Sequence, residues 1–167
     1  MSLRFLSEKI VIDTGPLIAF AHLNWFSELS GLFSTVHITE QVFQESQFEP
    51  ERIDARCIVT AVSKNKLTNS SCTIANISKY PGKLGIGEIS SIELAISLNC
   101  PVILDDNHAR QYAKKQGVAV IGTAGVLVYA KQNNVINSVI PLLQQLQEKQ
   151  YYLSDDLIKK IRQLCEE

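Results

Sequence analysis

No sign of charge dominates this chain: 16 lysines and arginines stand against 17 acidic residues, a formal charge of −1. A global positive field that would hold a polyanion is therefore absent, and any nucleic acid must be gripped by local basic groups or through a metal. Histidine is scarce. His22, His37 and His108 fall at no spacing that suits a metal site or a catalytic triad, so each is read as an ordinary surface or core residue. Cys57, Cys72, Cys100 and Cys165 form no C-x-x-C pair, which leaves structural zinc and a disulfide framework without support. They read as reduced, partly buried thiols of a cytoplasmic protein. Long apolar runs are missing too. Ile10 to Ala21 is too short to span a bilayer and is interrupted by Asp13 and Pro16. The same acid interrupts what would be the core of a signal peptide, and Trp25 stands where a small-residue cleavage site belongs. The expectation is a cytoplasmic protein with no membrane partner.

Several catalytic signatures are also lacking. The glycines of GKLGIGE do not follow a strand in G-x-G-x-x-G spacing, and G-x-x-x-x-G-K-[ST] does not occur, so dinucleotide and P-loop readings are poor. No G-x-S-x-G elbow is present for a serine hydrolase. DTGPL offers no second acid close behind Asp13, as an aspartyl-phosphate enzyme would need. No repeat, heptad run or linker divides the chain. What remains is the composition of an ordinary globular protein, 46% hydrophobic and 20% charged. A single domain over residues 1–167 is expected, burying roughly 70% of its unfolded surface.

KIVID reads as a short buried strand, and T-G-P turns the chain into a helix carrying Leu17, Ile18 and Ala21, with proline where its missing N–H is harmless. A helix over Trp25 to Leu32 and the strand STVHI follow, and Thr39 caps a helix that turns Val42 and Phe43 inward, with Glu45 in its second turn. From Arg56 to Ser63 the alternation in CIVTAV predicts a strand or extended piece. Lys64 to Gly87, rich in Ser, Asn, Thr and Lys, predicts an exposed loop or insertion. Ile89, Ile92, Ala95 and Ile96 mark the buried face of a helix over Gly87 to Leu98. PVIL is a strand, NHARQYAKKQG a helix ending at Gly117, and VAVIG another strand. Residues 123–167 are helical, with Ser154 capping a last helix whose buried stripe is Ile158, Ile161 and Leu164. This alternation predicts an α/β fold built on a parallel sheet with right-handed crossovers.

Acids recur where strands end or helices begin. Asp13 closes KIVID, Glu45 ends TEQVFQE, Glu88 opens GEISSIELA, and Asp105 with Asp106 closes PVILDD. In an open parallel sheet such positions share one crevice. Each also has an ordinary explanation: Asp13 as a helix cap, Glu88 as a first-turn acid favoured by the helix dipole, Asp105 and Asp106 as an N-cap pair. Together, carboxylates without matching bases repel one another unless a divalent cation lies among them, and an oxygen-only set suits Mg²⁺ or Mn²⁺ rather than zinc. Such an ion orients a water for phosphodiester hydrolysis without a histidine base. The expected ligands are Asp13, Glu88 and one or both of Asp105 and Asp106, with Glu45 a further ligand or a water-orienting base. Thr14, beside Asp13, and Arg110 are candidate substrate-binding residues; Arg110 either grips phosphate through its planar fork or pairs with Asp106 at i,i+4. Lys79, Lys83, Lys114 and Lys115 either track a nucleic-acid backbone or are simply solvated, and Tyr80 offers a stacking surface.

The segments IVIDTGPLIAF, HITEQVFQE, GIGEISSIELA and VILDDNHARQYAKKQGVAVIGTAGVLVYAKQNN together resemble the PIN-domain superfamily, in its short PIN-like nucleic-acid-binding branch, over most of the chain. The L-D-D-x-x-A-R and G-T-x-G-x-L order is the most specific part. The resemblance implies a Rossmann-like three-layer sandwich with a mostly parallel sheet. It also implies a Mg²⁺- or Mn²⁺-dependent endoribonuclease acting on RNA, often a toxin paired with an antitoxin-like protein and often a homodimer. Carried over residue by residue, the family acids fall on Asp13, Glu45, Glu88 and either Asp105 or Asp106. Both remain open, because the family's T-x-D is replaced by a sequence in which Leu104 precedes Asp105. The other reading is a catalytically inactive module of the same fold that binds nucleic acid or a partner protein. Leu, Ile and Tyr on the C-terminal helices suffice for a dimer surface, and covering their own sheet explains them equally.

Overall fold

Strand β1 (Lys9–Ile12) lies at the centre of a parallel sheet, with β2 (Thr35–Thr39) on one side and β4 (Val102–Ile103) on the other. The structure, a computed structural model, describes residues 9–74 and 76–167; residues 1–8 and Ala75, inside the expected 1–167 unit, lie outside the described residues. With β3 (Thr68–Ser70) and β5 (Val120–Ile121) the strand order is β3-β2-β1-β4-β5, and every pairing is parallel. The chain winds outward from β1 through β2 to β3, then returns across the sheet to β4. The order therefore reverses between β1 and β4, the place where open parallel sheets bind ligands at their carboxyl ends.

Helices α1 (Thr14–His22), α2 (Phe26–Leu32), α3 (Glu40–Ser46), α4 (Ile53–Ser63), α5 (Ile86–Leu98), α6 (Asn107–Lys115), α7 (Thr123–Gln132), α8 (Ile140–Glu148) and α9 (Asp155–Cys165) complete the described elements, with a single 3₁₀ turn at Ile77–Lys79. Two apolar clusters form the two interfaces of a three-layer sandwich. Ile10, Ile12 and Ile103 join Leu17, Phe20, Ile58, Leu127 and Leu143 on one face. Val11, Val102 and Leu104 join Ile92, Ala95, Ala109 and Ala113 on the other. Successive strand residues face opposite layers, which is why β1 reads as a continuous apolar run rather than an alternation. Each fully buried Ile or Leu in such a layer contributes about 1.5–3 kcal/mol relative to exposure.

Two expectations are corrected. Arg56 to Ser63 is not a strand but lies within α4, because Asp54, Ala55, Ile58 and Ala61 bury at helical spacing. The β-branched residues of CIVTAV raise strand propensity, and packing of that face against the core overrides it. The missing strand is β3, inside the segment expected to be loop: His37 pairs with Thr68 and Thr39 with Ser70. Its sequence, TNS, carries no apolar signal because it is a short, largely exposed edge strand. Smaller differences concern two helix faces, since Ile96 and Leu164 are exposed while Leu94 and Cys165 are buried. All four cysteines are free thiols. Among the described residues no helix is long and apolar enough to cross a membrane.

Candidate metal centre

Asp13 follows β1 directly, and its backbone N–H donates to Ile103 O at 3.2 Å, extending the pairing with β4 by one step. It occupies the N-cap position of α1 with extended backbone, φ −85° and ψ 168°, and its carbonyl receives Leu17 N–H at 2.9 Å. Its side chain makes no helix-capping hydrogen bond. Instead the carboxylate, two residues beyond Val11 and so on the same face, turns toward α5, where Ser91 Oγ donates to Oδ1 at 3.3 Å. Asp13 is only 7% exposed. Burial raises its pKa from 3.8 to about 7; the Thr14 backbone N–H and the Ser91 hydroxyl pull it down, while the nearby Glu88 and Glu45 push it further up.

Glu45 is brought in by α3, which Thr39 caps through Val42 N–H at 3.1 Å. Thr14 Oγ1 donates to Glu45 Oε2 at 2.6 Å, and Gly87 N–H donates to Oε1 at 3.0 Å. Gly87 leaves the space this carboxylate occupies: a Cβ would lie 2.7 Å from Glu45 Oε1 and 2.8 Å from Cδ. Gly87→Ala is expected to dislodge the Glu45 carboxylate from its place between Thr14 and Gly87. Far-ultraviolet circular dichroism should show the helices intact, and a crystal structure of that variant with Glu45 unmoved would show that the carboxylate needs no such anchor. Glu88 stands at the third position of α5 and accepts Gly85 N–H at 2.9 Å, closing that helix end. Burial raises its pKa, the Gly85 contact lowers it, Asp106 and Glu45 raise it, and His108 lowers it.

The two adjacent aspartates part company. Asp105, two residues past Ile103, turns to the α7 side: Oδ1 accepts Thr123 N–H at 2.8 Å and Oδ2 accepts the Thr123 hydroxyl at 2.6 Å. The Tyr151 hydroxyl also donates to Oδ2. Asp106, two residues past Leu104, lies on the face that carries Asp13 and Glu88. Its Oδ1 caps α6 through Ala109 N–H at 2.9 Å. Thus Asp105 ties the start of α7 and the α8–α9 connection to the sheet, while Asp106 bears electrostatically on Glu88.

Asp13, Thr14, Glu45, Glu88, Asp105 and Asp106 all line one open cleft of about 420 Å³, together with Gly85 and Gly87. The distant acids and Thr14 therefore meet at the switch point. Arg110 does not line this cleft; its Nη1 donates to Leu104 O at 2.7 Å, and among the described residues it forms no ion pair with Asp106. The four lysines are exposed, and Tyr80 packs edge-on against Tyr112 with centroids 6.0 Å apart. Nothing in the residue order marks Ser91, Gly87 or Tyr151 for the site, whereas Thr123 carries a signal as the threonine of G-T-x-G.

A divalent cation suits this arrangement. The donors are all oxygen, and Asp13 is a buried carboxyl facing two further acids. Among the described residues no three ligating side chains close into a ready-made cage. Mg²⁺ does not require one, since it keeps several waters and takes one or two carboxylates directly.

Fold and cleft define an α/β protein with an acidic centre at the carboxyl edge of a parallel sheet. Residues 9–167 match the PIN domain family, and the chain belongs to it. PIN domains form a nuclease-type superfamily that in general uses divalent metal ions and binds nucleic acids. Among solved structures the chain is similar to a PilT N-terminus domain protein from the hyperthermophilic archaeon Sulfolobus solfataricus P2. That similarity has 19% identity and a TM-score of 0.48 and covers 69% of this chain and 87% of that one. It is also similar to a domain of a functionally unknown protein from Methanocaldococcus jannaschii DSM 2661, with 16% identity, a TM-score of 0.44 and coverage of 68% and 89%. No curated protein matches the chain.

Proposed function

We propose that this protein is a metal-dependent endoribonuclease that hydrolyses RNA phosphodiester bonds, with Asp13, Glu88 and Asp106 holding Mg²⁺ or Mn²⁺. The observation that carries the reading is the gathering of Asp13, Glu45, Glu88 and Asp106 on one cleft, with Asp13 buried and its pKa raised by that burial and by two neighbouring acids. A bound ion would supply charge neutralisation at the phosphate and a lowered pKa for a water. Glu45, oriented by Thr14 and Gly87, is the carboxylate placed to accept a proton in the cleft. Asp105 serves as a positioning residue through Thr123 rather than as a ligand. An antitoxin-like partner and a homodimer belong to this reading as its biological setting.

The test is cleavage of single-stranded RNA by purified protein after chelation and again after Mn²⁺ is restored, beside an Asp13→Asn variant. Activity should return with Mn²⁺ only in the unsubstituted protein, the variant losing at least ~100-fold, no less than losing a hydrogen-bond partner of a metal ligand costs. Equal activity in the two proteins would mark a contaminating nuclease and remove the proposal. Binding without cleavage under all conditions would identify the inactive module instead.

A further inference from the structure

Beside the acidic cleft, and sharing Asp105 as a wall, lies a second cavity of about 600 Å³. Its size is that of a small-molecule or nucleotide site. Its lining includes Arg110, Gly122, Tyr151, Tyr152, Asp156 and Lys160. Arg110 is half-buried and anchored through Nη1 to Leu104 O, so the guanidinium is held in place with its other N–H groups uncommitted to that carbonyl. Gly122 makes room for it: a Cβ there would lie 2.9 Å from Arg110 Nη1 and 3.0 Å from Asp105 Oδ1. Tyr151 is fixed by its hydroxyl on Asp105, and the neighbouring Tyr152 is 86% exposed, a large ring that the core does not use.

Resting on the nuclease reading above, we propose that this cavity seats one nucleotide of single-stranded RNA next to the phosphodiester that is cut, with its base on Tyr152 and its phosphate on Arg110 and Lys160. The charge of the lining suits a single phosphate of the strand, the other phosphates lying outside the cavity. Two cations, Arg110 and Lys160, line it together with two carboxylates, Asp105 and Asp156, and Asp105 is already occupied by Thr123 and Tyr151. Such a cavity accommodates a flat base and a single phosphate. An exposed tyrosine and an anchored arginine lining one cavity are the side chains that hold unstacked bases, which duplex RNA does not offer. The shared Asp105 places the next phosphate of the strand at the acidic cleft.

The experiment measures binding of a fluorescein-labelled hexauridylate to the full chain in chelator, where no cleavage occurs, alongside cleavage in Mn²⁺. Tyr152→Ala should weaken binding about tenfold, Tyr152→Phe should stay within about twofold, and Lys160→Ala should weaken binding and lower the salt dependence by about one phosphate. Asp13→Asn should bind like the unsubstituted protein while failing to cleave. Unchanged affinity in Tyr152→Ala while Asp13→Asn abolishes cleavage overturns the nucleotide seat and leaves the nuclease standing. Weakened binding in Tyr152→Ala with no cleavage by any form overturns the nuclease and supports the seat. Uridine monophosphate binding as tightly as the hexamer, or no hexamer binding at all, overturns the strand assignment.

Discussion

Asn at position 13 is expected to stabilise the metal-free protein above neutral pH while abolishing its activity. Burial lifts Asp13 from 3.8 to about 7. Between those values the folded form therefore holds a proton that the unfolded form releases, and stability falls as pH rises through that window. Asn is neutral throughout. The stability gained by Asp13→Asn should be near zero below about pH 4 and reach roughly 2–4 kcal/mol above pH 7, at about 1.4 kcal/mol per pKa unit with allowance for relaxation of the site. For a domain of this size that is on the order of 5–15 °C in Tm. Thermal unfolding in chelator from pH 4 to 8 measures it directly. Mn²⁺ should then raise the Tm of the unsubstituted protein and not of the variant, since only a ligand that prefers the folded state stabilises it. Parallel stability curves for the two proteins would show that Asp13 is not held in a costly ionised state.

The second large effect separates neighbours. Asp106→Asn preserves the α6 cap, because Asn caps as well as Asp, so stability should change by under about 0.5 kcal/mol. Activity and Mn²⁺ affinity should nonetheless fall by about 100-fold or more, as for loss of a metal ligand. Asp105→Ala should do the opposite. It removes the acceptor of Thr123 N–H, Thr123 hydroxyl and Tyr151 hydroxyl, at a cost of about 2 kcal/mol once solvent exposure is discounted. Its Mn²⁺ affinity, measured by calorimetry, should remain close to that of the unsubstituted protein. Loss of metal affinity in Asp105→Ala with none in Asp106→Asn would reverse the assignment. Either pattern is readable from two proteins and two measurements.

Much of this was legible in residue order. The apolar run of β1, the alternation of strands and helices, and the caps at Thr39 and Ser154 are local features, and local chemistry suffices to read them. The acids were conspicuous because each interrupts an apolar segment end. α4 and β3 were misplaced for one reason: the first hides a helical face behind β-branched residues, and the second is an edge strand without an apolar signature. Ser91, Gly87 and Tyr151 matter only through partners dozens of positions away, at Asp13, Glu45 and Asp105.

By itself, then, the order of residues determined a parallel α/β sheet and an oxygen-only set of acids at its carboxyl edge, because strand period and helix caps are written within a few neighbouring positions. Only the tertiary structure decided that β1 and β4 lie side by side, that Asp105 faces α7 while Asp106 faces α5, and that Asp13 is buried deeply enough to resist ionisation. Those outcomes depend on which side of the sheet each side chain leaves and on what packs there, and neither exists until the layers have closed.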